Sequence, residues 1–216
     1  MDSFVYAPPQ TPPVILHDDE HIVIVDKPAG LLSVPGRGPE LTDCLIDRLR
    51  GEFVNILLVH RLDMDTSGVM VFALTKAAQG NLSQQFEQRV TGKNYLARLQ
   101  GHLTPDKGRV DLPLIVDWPN RPRQHVNHET GKPAVTDWRV LKRPEGETRV
   151  RLSPLTGRTH QLRVHMAALG HPILGDPLYA EGEAASHPRL MLHAENLRLR
   201  HPETGVTMTF SAPCPF

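Results

Sequence analysis

The stretch from His60 to Gly68, HRLDMDTSG, sets a cation, a branched aliphatic residue, two carboxylates and two hydroxyls between the apolar runs Ile56 to Val59 and Val69 to Leu74. A polar interruption between two apolar runs must be a loop joining two buried strands, and this one fixes a strand-rich frame around a surface segment. Surface loops held by buried strands commonly carry function. Asp63, expected to follow directly on a strand end, is the residue best placed there to act as nucleophile or base. Read alone, the segment is equally a turn, because Asp, Thr, Ser and Gly bond their own backbone.

The neighbouring segments supply the frame. Residues 1 to 13 carry four prolines and no period, which predicts an extended arm. The chain of 216 residues can bury a full core, as one domain or as two halves sharing one sheet, and residues 14 to 216 are expected to form a single domain. VIL followed by IVIVDKPAG predicts an early hairpin. Thr42 to Phe53 reads as a helix with Thr42 as N-cap and Leu45, Ile46 and Leu49 on one face. Thr75 caps a helix of about 14 residues whose Leu82 and Phe86 fall on one face as core. KNYLARLQG alternates as a strand, and Asp117 to Lys132 reads as an extended hairpin or lid. Strands follow at Thr136 to Leu141 and Val150 to Leu155. Thr159 opens a helix that Gly170 stops, and Leu190 to Leu199 pairs with Val206 to Ser211 as a closing hairpin. Strands predominate and helices follow no βαβ rhythm, so the class is α+β with a mainly antiparallel or mixed sheet and flanking helices.

Charge is balanced overall but not along the chain. Met1 to Ile56 holds nine acids against four bases, whereas Trp118 to His165 holds ten Arg and Lys against four acids. The second stretch is suited to meet a polyanion. There is no long apolar span and no basic, apolar leader, which predicts a soluble cytoplasmic protein. Cys44 and Cys214 stand far apart in no metal-type spacing and read as free thiols.

Four clusters need a common explanation: HRLDMDTSG, Lys93 to Tyr95, TGRTHQLRVH from Thr156 to His165, and GHPILGD from Gly170 to Asp176. Together with the early KPAG they resemble the RluA-type pseudouridine synthases over Val14 to Phe216. In that family HRLDxxTSG carries the catalytic Asp, a K-x-Y segment the Tyr, and TGRxHQ(L/I)R the Arg. The resemblance therefore implies a pseudouridine synthase fold with a catalytic cleft, and Asp63, Tyr95 and Arg163 as catalytic residues. It implies RNA as partner, with targets in a 23S rRNA hairpin loop and a tRNA anticodon stem-loop. No appended S4-like RNA-binding domain is expected.

The residue chemistry suits that reaction. Converting uridine to pseudouridine breaks the glycosidic bond, turns the held uracil and joins the sugar to carbon 5, with no redox step. One ionised carboxylate, Asp63, can attack the anomeric carbon or stabilise charge there. Arg163 is expected to favour its charged form. Tyr95 offers a flat face to uracil and a phenol for a late proton transfer, although a half-buried strand Tyr is also ordinary. Arg61 can fill the gap left by a flipped base. Arg121, Arg123, Lys132 and Arg158 are the expected RNA contacts. Among the twelve histidines, His160 and His165 lie on different helix faces with no Cys or acid pair to complete a site, so no metal and no cofactor are expected. His60, His165 and His193 read as core or supporting groups. A monomer is expected. The alternatives are a nucleoside or glycoside hydrolase using Asp63 with Asp65, and an RNA-binding module without catalysis.

Overall fold

The computed structural model describes residues 5 to 216, so the first four residues of the expected arm lie outside the described residues. In chain order the strands are β1 (Val14–Asp18), β2 (Ile22–Lys27), β3 (Leu57–Leu58), β4 (Ser67–Ala73), β5 (Gly92–Gln100), β6 (Lys107–Asp111), β7 (Leu114–Val116), β8 (Gln124–Val126), β9 (Val135–Lys142), β10 (Glu147–Pro154), β11 (Leu192–Arg200) and β12 (Thr207–Ser211). The α-helices among the described residues are α1 (Leu45–Leu49), α2 (Lys76–Glu87) and α3 (Gln161–Ala168). Strands predominate and the class is α+β. The chain divides into two compact units, one running to Gly92 and including Ala194–Cys214, the other Lys93–His193 with Pro215–Phe216.

The first unit has the strand order β1-β2-β4-β11, with β3 paired to β4 and β12 to β11. Ile22, Val23, Ile24 and Val25 are all fully buried, which is why β2 reads as a continuous apolar run rather than an alternating one. Ile22, Ile24, Val69 and Val71 pack with Ala78 and Leu82 of α2, and Phe86 packs against the same cluster, as the i,i+4 spacing predicts. Thr75 caps α2, its Oγ1 accepting from the N–H of Ala78 at 3.1 Å.

Thr42 does not cap a helix. It closes a short 3-10 turn at Pro39–Leu41, and α1 starts only at Leu45 behind an extended Cys44. The reason is tertiary: Cys44 bridges Leu32, and the N–H of Leu45 donates to the Leu32 carbonyl at 2.8 Å, which holds this stretch extended. The proline-rich arm docks on the same region. Tyr6 Oη donates to the Asp43 carbonyl at 2.8 Å and accepts from the N–H of Leu32 at 3.0 Å, while Arg48 Nη1 donates to the Pro9 carbonyl at 2.7 Å.

In the second unit the order is β5-β10-β9-β6, and β7 and β8 form a separate antiparallel hairpin. Leu99, Val150, Leu152 and Met166 are fully buried in its main core. Helix α3 begins at Gln161 rather than at Thr159, with His160 in the left-handed region at φ 53° as its N-cap. The Gln161 amide explains the delay: it accepts from Thr156 Oγ1 at 2.7 Å and from the N–H of Arg158 at 3.0 Å, and donates to the Val135 carbonyl at 3.0 Å. Residues 156 to 159 are thereby held as a turn against β9. At the other end Gly170, at φ 79°, takes the left-handed position of a Schellman cap, its N–H donating to the Ala167 carbonyl and that of His171 to the Met166 carbonyl. His165 is fully buried with Nδ1 on Thr136 Oγ1 at 2.9 Å and Nε2 on the Leu112 carbonyl at 3.0 Å, and burial pushes its pKa down. It is a core histidine.

Asp19 closes the first hairpin. Burial pushes its carboxyl up, but bonds from His17, from the N–H groups of His21 and Ile22, and from His201 outweigh this and hold it at about 2 instead of 3.8. Because the folded-state pKa lies below the unfolded one, this contribution is present above pH 3.8 and is lost as pH falls towards 2. Asp19→Asn is expected to cost about 1 kcal/mol near neutrality, after discounting for solvent screening. The gap to wild type in urea unfolding should close as pH is lowered through that window; a constant gap would contradict the assignment.

Candidate active site

The loop after β3 is built from its buried members. Strand β3 ends at Leu58, so Asp63 does not follow directly on a strand end; it stands inside the loop, its carbonyl accepting from the N–H of Thr66 at 3.2 Å. Pairing stops early because the His60 side chain takes over the ladder's role. Its Nε2 accepts from the N–H of Val71 at 3.1 Å and its ring stacks on Phe86 at 4.6 Å. Leu62 is buried, and its carbonyl and N–H are both bonded to Ser33 Oγ, at 2.7 and 3.2 Å. Arg61 is exposed and Asp63 half-buried.

Directly beyond Asp63 the loop is held by a buried cation. Lys27 is fully buried, and its Nζ donates to the carbonyls of Pro28 at 2.9 Å, Leu31 at 2.6 Å and Met64 at 2.8 Å. An ammonium has three donors, and three carbonyls take them here. The N–H of Gly30 adds a bond to the same Met64 carbonyl at 2.9 Å. The KPAG turn is thus the clasp of the Asp63 loop. The motif's closing glycine has its own cause: a Cβ on Gly68 would stand 2.2 Å from the Ala194 carbonyl oxygen.

In the second unit, Tyr95 is half-buried on β5 opposite Leu152 of β10. Arg163 is 3 % exposed on α3, and its Nε and Nη2 each donate to one oxygen of the fully buried Asp176 at 2.7 Å. Asp176 also accepts from the N–H groups of Leu178 and Tyr179, so GDPLY is a turn folded around the partner of Arg163. Tyr179 then links this turn to the basic hairpin. Its Oη accepts from the N–H of Gln124 at 2.7 Å and bonds His160 Nδ1 at 2.8 Å. The guanidiniums of Arg163 and Arg123 lie 5.2 and 5.4 Å from its ring centroid. Burial pushes the Tyr179 phenol up, so it stays protonated, and the His160 tautomer sets which of the two donates.

Of the expected RNA contacts, Arg121, Arg123 and Lys132 are exposed on the hairpin and its flank. Arg158 is half-buried, its Nε donating to the Pro133 carbonyl at 3.1 Å. Arg61 and Asp63 belong to the first unit and Tyr95, Arg163, Arg121, Arg123, Lys132 and Arg158 to the second. Sequence reasoning passed over Lys27, Asp176 and Tyr179 as working residues. Two of them had a signal: a lysine closing an apolar strand before proline, and an aspartate after a glycine in the GHPILGD cluster.

Residues 21–168 match the family described as RNA pseudouridylate synthase. The chain belongs to that family. It is 57% identical over 214 residues to the dual-specificity RNA pseudouridine synthase RluA of Escherichia coli K12, covering 98% of each chain. The Yersinia pestis protein of the same description is 56% identical over 205 residues, 94% of this chain and all of that one. Among solved structures, human RNA pseudouridylate synthase domain containing 1 superposes with a TM-score of 0.80 at 33% identity, covering 97% of this chain and 87% of that one. Human domain containing 4 gives 0.74 at 28%, covering 94% and 88%. This RNA pseudouridine synthase holds, among the described residues, no group of three His, Cys, Asp or Glu placed to bind a metal ion and no helix long and apolar enough to cross a membrane.

Two substitutions test the supports. Lys27→Met takes this donor from the carbonyls of Pro28 and Leu31, at about 1 to 3 kcal/mol each, and leaves Met64 only the Gly30 N–H, so the synthase should unfold at lower urea and lose kcat more than RNA affinity. Asp176→Asn removes the carboxylate charge that both Nε and Nη2 of the buried Arg163 meet, and should cost about 3 kcal/mol or more in the same assay. Wild-type midpoints in either variant would show that these bonds do not hold the site.

Proposed function

We propose that this synthase isomerises uridines in a 23S rRNA hairpin loop and in a tRNA anticodon stem-loop, acting as a cytoplasmic monomer without metal or cofactor. The observation that carries the reading is the Asp63 loop itself, HRLDMDTSG clasped by Lys27, in a chain 57% identical to a relative described as dual-specificity. Asp63 attacks or stabilises the anomeric carbon while the glycosidic bond breaks. The uracil turns in place, and its carbon 5 joins the sugar. Tyr95 packs on the base and takes part in the late proton transfer from carbon 5, and Arg163 supports the charged site. Arg61 enters the gap left by the flipped nucleotide, offsetting an unstacking cost of a few kcal/mol. Arg121, Arg123, Lys132 and Arg158 supply phosphate contacts, which set affinity and its salt dependence.

The hydrolase and the non-catalytic readings are separated by products. With an isolated anticodon stem-loop and an isolated rRNA hairpin, the expected outcome is unchanged RNA mass, tritium release from 5-labelled uridine and no free uracil. Asp63→Asn should bind both hairpins as wild type does and turn over neither, because the amide keeps the shape but not the charge. Turnover of that variant within tenfold of wild type would remove Asp63 from the mechanism. Activity should survive EDTA when the RNA is folded in monovalent salt.

A further inference from the structure

The β7–β8 hairpin ends in DWPNRPR, and its tip is a closed structure rather than a frayed loop. The N–H of Asp117 donates to the Arg123 carbonyl at 2.9 Å, that of Arg123 to the Asn120 carbonyl at 3.0 Å, and that of Asn120 to the Asp117 carbonyl at 3.1 Å. The Asn120 amide adds a bond to the Asp117 carboxylate at 3.0 Å. On this tip Trp118 is 65% exposed, whereas the other tryptophan of the chain, Trp138, is 7% exposed in the core. The indole is held outside the core on a hydrogen-bonded turn, where an aromatic face is accessible to a ligand.

The Arg121 side chain defines what the indole is set up to meet. Its Nε donates to the Trp118 carbonyl at 3.1 Å, which lays the guanidinium over the ring at 4.1 Å from the centroid. A planar cation against a planar π-face, on a rigid turn, is a stacking platform with a phosphate-binding group attached. Arg123 and Lys132 extend the positive charge on exposed positions nearby in sequence. A lipid surface would want several apolar anchors, and the tip offers one ring among Asn, Asp and Arg.

We infer that Trp118 is a docking site for an unpaired nucleobase of the RNA, which stacks on the indole while Arg121 binds the adjoining phosphate. This rests on the proposed RNA reading and adds to it a contact away from the reacting uridine. It selects substrates whose loops present a second splayed base, which is how single-stranded RNA elements are commonly read.

The full chain is titrated with a short RNA stem-loop, with a blunt duplex of the same stem, and with anionic lipid vesicles, following tryptophan emission. The Trp118→Phe protein reports Trp138 alone and is subtracted. Stem-loop should quench the Trp118 emission strongly, while duplex and vesicles leave it unchanged. Trp118→Ala should weaken stem-loop binding about 5- to 100-fold with the salt slope preserved, and Trp118→Phe should restore most of it. Arg121→Gln should instead lower the salt slope by about one. Equal quenching by duplex, a response to vesicles alone, or Trp118→Ala binding within twofold of wild type would overturn the inference. Pseudouridine formation is assayed separately on the same stem-loop, so failure of the isomerase reading and failure of the stacking site are distinguished.

Discussion

The buried ammonium of Lys27 is the interaction on which the Asp63 loop depends. Burying a charge is costly unless every donor is satisfied, and here the carbonyls of Pro28, Leu31 and Met64 satisfy them. The carbonyls belong to two segments, the KPAG turn and the loop carrying Asp63, so the cation can be satisfied only when both are in place. A hydrophobic side chain there would be cheaper to bury and would leave the loop unspecified. The position of Asp63 follows from what surrounds it: Ser33 on both backbone groups of Leu62, the Lys27 and Gly30 bonds on Met64, and the His60 ring in place of a strand ladder.

The second unit uses the same economy with the opposite sign. Asp176 is fully buried because Arg163 and two backbone N–H groups fill its oxygens. Such a pair adds little net stability over an apolar replacement, but removing either half is severe, so it fixes geometry rather than strength. Tyr179 carries that fixity outward, joining the N-cap of α3 to the first residue of β8 through a single phenol oxygen. The buried Arg163 and the β7–β8 hairpin are thereby held by one small polar network.

Much of the frame was legible in the sequence. Apolar periodicity places β2, β4, β5, β9 and β10 within a residue or three, Thr75 and Gly170 cap where their chemistry says they should, and the Leu82 and Phe86 pair is core. The HRLDMDTSG, K-x-Y and TGRTHQ segments were readable as a family pattern, and the chain belongs to that family. The mistakes were at element boundaries: β3 ends at Leu58, short of Asp63, α1 stops at Leu49 rather than Phe53, and two helices start late. Thr42 and Thr159 are good N-caps by residue type, yet Leu32 holds one region extended and Gln161 ties the other to β9. Capping preference is worth about 1 kcal/mol, and several tertiary hydrogen bonds outweigh it.

The sequence by itself determined which segments are strands, where the polar loop interrupts them and which reaction family the motifs serve, because periodicity and ordered motifs are local properties of the chain. Only the tertiary structure decided what each motif residue does. That Lys27 clasps the carbonyl after Asp63, that Asp176 rather than solvent meets Arg163, and that Tyr179 ties Gln124 to His160 are contacts between residues from 13 to 55 positions apart. No propensity or spacing encodes such a partner. Partner choice is set by which buried polar groups the packed chain must satisfy, and that requirement exists only once the core has excluded water.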